Sequence, residues 1–149
     1  TCYDKALEID FDVKIITDKG DALYMNDKFE EAIACYDKAL EIEPEYHQAI
    51  SNKGNTLRSM KKYDESLEYL NKGILNDKTD FYNFDVKTRL YRDWGKYAEA
   101  LELCEQMLEQ FPDHEETILK HFIKIYKEMN NKNKVEEFQQ KLQKLKDLK

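Results

Sequence analysis

The nonapeptide CYDKALEID at residues 2–10 returns as CYDKALEIE at residues 35–43, with eight identities in nine. Such duplication constrains the chain more than any single motif, because a repeated word implies a repeated structural element. A shift of 34 residues extends the match: Ile16, Ile50, Phe84 and Ile118 fall together, as do Leu23, Leu57, Tyr91 and Ile125. A small residue stands at Gly20, Gly54 and Thr88, an aromatic at Phe29, Tyr63 and Tyr97, and a second small residue at Ala32, Ser66 and Ala100. Tyr36, Leu70 and Cys104 follow, then Ala39, Gly73 and Met107; Pro44 and Pro112 close two repeats, with Lys78 between them.

The opening word is offset by 33 residues rather than 34. FDVKI puts five residues between Asp10 and Ile16, whereas PEYHQA puts six between Glu43 and Ile50. This predicts a first turn one residue shorter than the next, with Phe11 in the place of Pro44, and a locally irregular junction.

Within each repeat, apolar residues recur at helical spacing in two stretches. In the first full repeat, Ile16, Leu23 and Met25 mark one helix, and Phe29, Ile33, Tyr36, Leu40 and Ile42 mark the next. Asn26-Asp27-Lys28 supplies a polar turn between them, as do Met60-Lys61-Lys62 and Trp94-Gly95-Lys96 later. Gly20 and Ala32 are expected to face each other across this hairpin, because short side chains let helices approach closely. Pro44 lacks an amide hydrogen and stops the second helix. A lone hairpin leaves its apolar face uncovered, whereas stacked hairpins cover one another. Composition agrees: 37% of the 149 residues are charged and 41% hydrophobic, with only four Gly and two Pro to serve β-turns.

These residues resemble the tetratricopeptide repeat, a 34-residue helix–turn–helix unit. The resemblance rests on Gly20, Ala32, Tyr36, Ala39 and Pro44 in 13–46, on Gly54, Ser66, Leu70 and Gly73 in 47–80, and on Ala100, Cys104 and Pro112 in 81–114. It implies an all-α fold, a right-handed α-solenoid of antiparallel hairpins, in a single domain over 1–149. Residues 1–12 read as the tail of an upstream repeat and 115–149 as a degenerate, capping one. A chain opening on such a tail reads as a piece of a longer protein, with any targeting signal upstream. Met107 and Phe122 stand where the family places small residues, enlarging the junction before the last hairpin. Val135, Phe138, Leu142, Leu145 and Leu148 form one stripe of the final helix and Lys141, Lys144, Lys146 and Lys149 another face, as a cap requires; the same stripe would also suit a partner helix.

Repeats of this kind supply surface rather than chemistry. The resemblance implies a concave groove lined by first helices, through Lys14, Thr17, Asp18, Asp21, Tyr24 and Met25, then Gln48, Ser51, Asn52, Asn55, Arg58 and Ser59, then Tyr82, Asp85, Val86, Arg89, Arg92 and Asp93. Tyr24, Asn52, Asn55, Arg58, Tyr82, Arg89 and Arg92 are the candidate peptide-binding residues, since an amide side chain both donates and accepts and a guanidinium forks onto a carboxylate. Residues 47–62 carry four basic residues and no acid, and 81–96 four basic against two acidic, whereas 29–43 has five acids to one Lys and 97–111 four acids and no base. That segregation predicts an acidic or carboxylate-bearing peptide partner, set against the plainer reading that the charges keep both faces solvated. The family's clamp for chaperone C-terminal carboxylates finds Thr17, Asp21, Asn52, Tyr82 and Val86 in its places, of which only Asn52 fits.

A net charge of −7 argues against nucleic acid, and no apolar run reaches the ~20 residues of a membrane span. Cys2, Cys35 and Cys104 form no CxxC pair and read as reduced thiols of an intracellular, cytoplasmic protein. His47, His114 and His121 have no cysteine or carboxylate at ligand spacing, and no phosphate-cradling glycine motif is present. Neither an enzyme nor a cofactor or metal site is therefore expected. The alternative to a peptide-binding scaffold is a structural segment of a larger protein that self-associates through an apolar end at Tyr3, Ala6 and Leu7.

Overall fold

The structure is a computed structural model of the chain, described over residues 1–148 apart from the side chains of residues 2–4, 6, 7, 10 and 11. The described residues form eight α-helices and one 3₁₀ turn, without strands: α1 (Cys2–Met25), α2 (Phe29–Ile42), α3 (His47–Ser59), α4 (Tyr63–Asn76), α5 (Phe81–Asp93), α6 (Tyr97–Gln110), the 3₁₀ turn Pro112–His114, α7 (Glu115–Glu128) and α8 (Lys132–Asp147). The architecture is an all-α helical-repeat fold of antiparallel hairpins with a 34-residue period.

One sequence expectation fails at the start. The turn predicted between Asp10 and Ile16 is absent, and α1 runs unbroken for 24 residues. FDVKI contains no Gly or Pro, so no residue there forces a break, whereas Pro44 ends α2. The self-association surface expected at Tyr3, Ala6 and Leu7 lies outside the described side chains.

The hairpin turns repeat in atomic detail. In the first, the Asp27 amide donates to the Tyr24 carbonyl at 3.0 Å and the Lys28 amide to the Leu23 carbonyl at 3.0 Å. The pair recurs as Lys61→Arg58 with Lys62→Leu57, as Gly95→Arg92 with Lys96→Tyr91, and as Asn130→Lys127 with Asn131→Tyr126. This pattern consumes the orphan carbonyls at a helix end and needs one left-handed residue. Asp27, Lys61, Gly95 and Asn130 take that role, with φ of 59°, 61°, 78° and 56°.

The chain forms two compact units, Thr1–Val86 and Lys87–Lys149, meeting inside α5. The core of the first unit centres on Val13, Ala32, Tyr36, Ala39 and Ala49, with Ile16, Leu23, Leu40 and Tyr46 packed against it. Small residues set the helix spacing. A β-carbon at Gly54 would stand 3.0 Å from Leu70, and the Ser66 hydroxyl donates to the Gly54 carbonyl at 2.7 Å, so these two small positions face each other. At Gly20 the close neighbour is the Tyr36 ring, 2.6 Å from where a β-carbon would sit.

In the second unit, Met107 is fully buried and its Sδ accepts from the Thr88 hydroxyl at 3.3 Å. Phe122 stacks on Phe138 with ring centres 4.4 Å apart, and Tyr126 packs beside both. The bulk at position 122 thus closes the last hairpin with an aromatic cluster. Phe138 is the buried residue of the α8 stripe, while Leu148 is 86% exposed.

Candidate functional site

Helices α1 and α3 carry their polar residues toward one another, and the junction is built around a carboxylate. Asp21 Oδ1 accepts from the Tyr36 hydroxyl at 2.8 Å and from Asn52 Nδ2 at 2.7 Å. Oδ2 receives a long bond from Gln48 Nε2 at 3.4 Å. Burial and the neighbouring Asp21 carboxylate raise the Tyr36 pKa far above its usual value, so its hydroxyl stays a donor.

Next to this carboxylate the polar groups form a second chain. Asn55 Nδ2 donates to the Tyr24 hydroxyl at 3.3 Å, which shares a hydrogen bond with Ser59 Oγ at 3.2 Å. Asn55 Oδ1 in turn accepts from both Nε and Nη2 of Arg58, each at 3.2 Å. Together Asp21, Tyr24, Tyr36, Asn52 and Asn55 line a cavity of about 230 Å³, with Met25 and Tyr82 completing its walls. A second cavity, of about 220 Å³, shares Asn52 and Tyr82 and is otherwise lined by His47, Gln48, Ser51 and Asp80. Asp80 accepts from the Tyr82 amide at 3.0 Å and from Asn83 Nδ2 at 2.9 Å.

Four of the seven sequence candidates, Tyr24, Asn52, Asn55 and Tyr82, therefore meet at one cavity within the first unit. Their roles differ from those expected. Asn55 is 92% buried and spends its amide on Tyr24 and Arg58, so it braces the wall. Asn52 uses Nδ2 on Asp21, and no donor among the described residues reaches its Oδ1. Tyr82 is 36% exposed.

The arginines depart further from expectation. Arg58 is engaged by Asn55 and does not line the cavity. Arg92 is occupied by two carboxylates, Asp93 Oδ1 at 2.9 Å from Nη2 and Glu128 Oε1 at 3.4 Å from Nε. It and the half-buried Arg89 belong to the second unit. Thr17 and Val86, placed in the groove by analogy, are fully buried, and Thr17 donates to the Val13 carbonyl at 2.8 Å. In the sequence, only their spacing on paired helices joins Asp21 to Tyr36.

Outside the cavity, Lys53 of α3 links the flanking helices. Its ammonium contacts Asp37 of α2 and donates to the Tyr69 hydroxyl of α4 at 2.8 Å. Burial lowers its pKa but these two hydrogen bonds outweigh it, and the net shift is upward. Neither Cys35 nor Cys104 forms a disulfide. Among the described residues no helix is long and apolar enough to cross a membrane, and no group of three His, Cys, Asp or Glu side chains could hold a metal ion.

Paired helices repeating at 34 residues, with side chains of successive first helices joined around an open cavity, define a helical-repeat protein whose fold presents surface. Two family models described as tetratricopeptide repeat match residues 13–46 and 35–68. Residues 13–68 therefore carry tetratricopeptide repeats, and the helical hairpins that follow keep the same antiparallel pairing. Solved structures of the same fold include MamA from Desulfovibrio magneticus RS-1, at 18% identity with a TM-score of 0.77 over 92% of this chain and 77% of that one. The TPR domain of Arabidopsis OM64 is 16% identical, with a TM-score of 0.69 over 78% and 95%. The first TPR of Spaghetti (RPAP3), bound to the HSP90 peptide SRMEEVD, is 18% identical, with a TM-score of 0.63 over 87% and 92%. No curated protein matches the sequence.

Proposed function

We propose that this chain is a protein–protein interaction scaffold that binds an extended peptide or partner helix against α1 and α3, and that it acts by binding rather than by catalysis. The observation that carries the reading is the open cavity where Tyr24, Asn52 and Tyr82 meet. It pairs aromatic surface with an amide oxygen that no donor among the described residues reaches, the combination that holds a peptide by side chain and main chain together. A cytoplasmic setting with a soluble protein partner belongs to the same reading. The acidic partner inferred from charge segregation would have to place its acidic groups away from the Asp21 cavity, and the cations Arg58 and Arg92 are already engaged.

The test is selection of a random dodecapeptide display library on the folded chain, followed by affinity measurement on Asn52→Ala and Tyr82→Ala. Selected peptides should weaken by about fivefold to tenfold on each variant at unchanged helicity, the size of one lost hydrogen bond or aromatic contact. Peptides that bind both variants as tightly as the parent would place the interaction elsewhere.

A further inference from the structure

We propose that the cavity between α1 and α3 takes a cationic side chain, the lysine or arginine of a bound peptide, with Asp21 as its counter-charge. This rests on the peptide-binding reading and specifies the residue that enters.

The cavity's lining holds one charged group, the Asp21 carboxylate. Its two oxygens are unequally used. Oδ1 is filled by the short bonds from Tyr36 and Asn52, whereas among the described residues Oδ2 accepts only from Gln48 at 3.4 Å, which leaves acceptor capacity on that side. All three partners are neutral donors, so the negative charge is solvated by dipoles and not cancelled. Lys14 of α1 pairs with Asp18 at 2.6 Å and feels Asp21 only as a minor attraction. Arg58 bonds to Asn55 but is not among the lining residues. The adjoining cavity adds a second carboxylate, Asp80, with His47 Nδ1 at 4.0 Å from it.

The remaining walls suit the same guest. Tyr24, Tyr36 and Tyr82 supply aromatic surface, and a cation beside an aromatic face gains electrostatically from the ring quadrupole. Met25, 78% exposed, borders the cavity and offers apolar contact to the methylene stem of a long basic side chain. An anionic side chain entering here would meet Asp21 uncompensated. A purely apolar one would cover the Oδ2 acceptor without supplying a donor, which is costly for a carboxylate.

The test uses the whole chain, labelled with ¹⁵N, and four hexapeptide pools Ac-Xaa-Xaa-Z-Xaa-Xaa-Gly-amide, in which Xaa is Ala, Ser, Leu or Val and Z is Lys, Arg, Glu or norleucine. The Lys or Arg pool should shift the side-chain amide signals of Asn52 and Asn55 saturably, and bind about fivefold or more tightly than the norleucine pool. Asp21→Asn keeps an acceptor for Tyr36 and Asn52 while removing the charge; it should erase that preference with circular dichroism unchanged, and Asp21→Glu should retain part of it. Norleucine or Glu pools that bind as tightly as the Lys pool would overturn the cation proposal and leave the peptide reading standing. No shift at α1 or α3 with any pool would overturn both.

Discussion

Asn52 of α3 donates from Nδ2 to Asp21 Oδ1 of α1 at 2.7 Å, and the same oxygen accepts from Tyr36 of α2 at 2.8 Å. Three helices of two successive repeats thus converge on one carboxylate oxygen. The contact ties the first helices together and leaves the second oxygen with a single long bond, from Gln48 Nε2 at 3.4 Å, among the described residues.

Asn52→Ala removes one of the two short donors to a partly buried carboxylate. Hydrogen bonds to charged groups contribute about 1.5–3 kcal/mol, and partial exposure puts the expected loss at the lower end. Urea denaturation followed by circular dichroism should show the midpoint falling with an unchanged slope. A midpoint equal to that of the parent would mean that Tyr36 and Gln48 alone satisfy Asp21.

Gly73 and Gly95 should respond to alanine for different reasons. At Gly73 a β-carbon would lie 2.6 Å from Oδ1 of fully buried Asn83, so Gly73→Ala overpacks a contact between α4 and α5 and should cost about 1–3 kcal/mol. Gly95 has nothing within 4 Å of its β-carbon but sits at φ 78°, so Gly95→Ala carries only the left-handed backbone cost of about 1–2 kcal/mol. A second substitution separates them: Asn83→Ala, which shortens the clashing side chain, should rescue much of the Gly73→Ala loss and none of the Gly95→Ala loss.

Lys61 holds a left-handed conformation, φ 61°, at an exposed turn where the third hairpin uses glycine. Lys61→Gly relieves the backbone strain but frees the unfolded chain, and the balance should stabilise by about 0.5–1 kcal/mol. Thermal unfolding should report a rise in Tm, and a fall would show that Lys61 makes a contact worth more than its strain.

Glu137 sits between Lys134 and Lys141, each ammonium 2.8 Å from a different carboxylate oxygen, and their hydrogen bonds pull its pKa down from 4.5 to about 2. A carboxyl whose folded pKa is depressed stabilises the fold above its unfolded pKa and loses that contribution as pH falls through the folded value. The contribution should therefore fade between about pH 4.5 and 2. A ¹³C titration of the Glu137 carboxyl would check it, since a midpoint near the ordinary glutamate value would mean that the two lysines do not hold it in solution.

Ala39 is completely buried in the cluster with Val13, Ala32, Tyr36 and Ala49, where two repeats touch. Ala39→Leu should lower stability by about 1–3 kcal/mol through overpacking. An unchanged Tm would contradict the register that places Ala39 between repeats.

Much of this fold was legible because it is local and periodic. The 34-residue spacing, the polar turns and Pro44 located the hairpins, since each depends on the residues' own backbone preferences and on the 3.6-residue rhythm of apolar side chains. The junction before Ile16 misled because a missing proline shortens a turn on paper, whereas a continuous helix costs nothing when no residue forbids it. That Tyr24, Asn52, Asn55 and Tyr82 share one side of the repeats was legible, and they meet at one cavity. Whether each faces a guest or a neighbour was not. Asn55 turned inward to Tyr24 and Arg58, Arg92 found Asp93 and Glu128, and Asp21 gathered Tyr36 and Asn52 from positions 15 and 31 residues away. Periodicity reports which side of a helix a residue occupies; only packing in three dimensions decides which polar groups spend their hydrogen bonds on each other and which keep one for a partner.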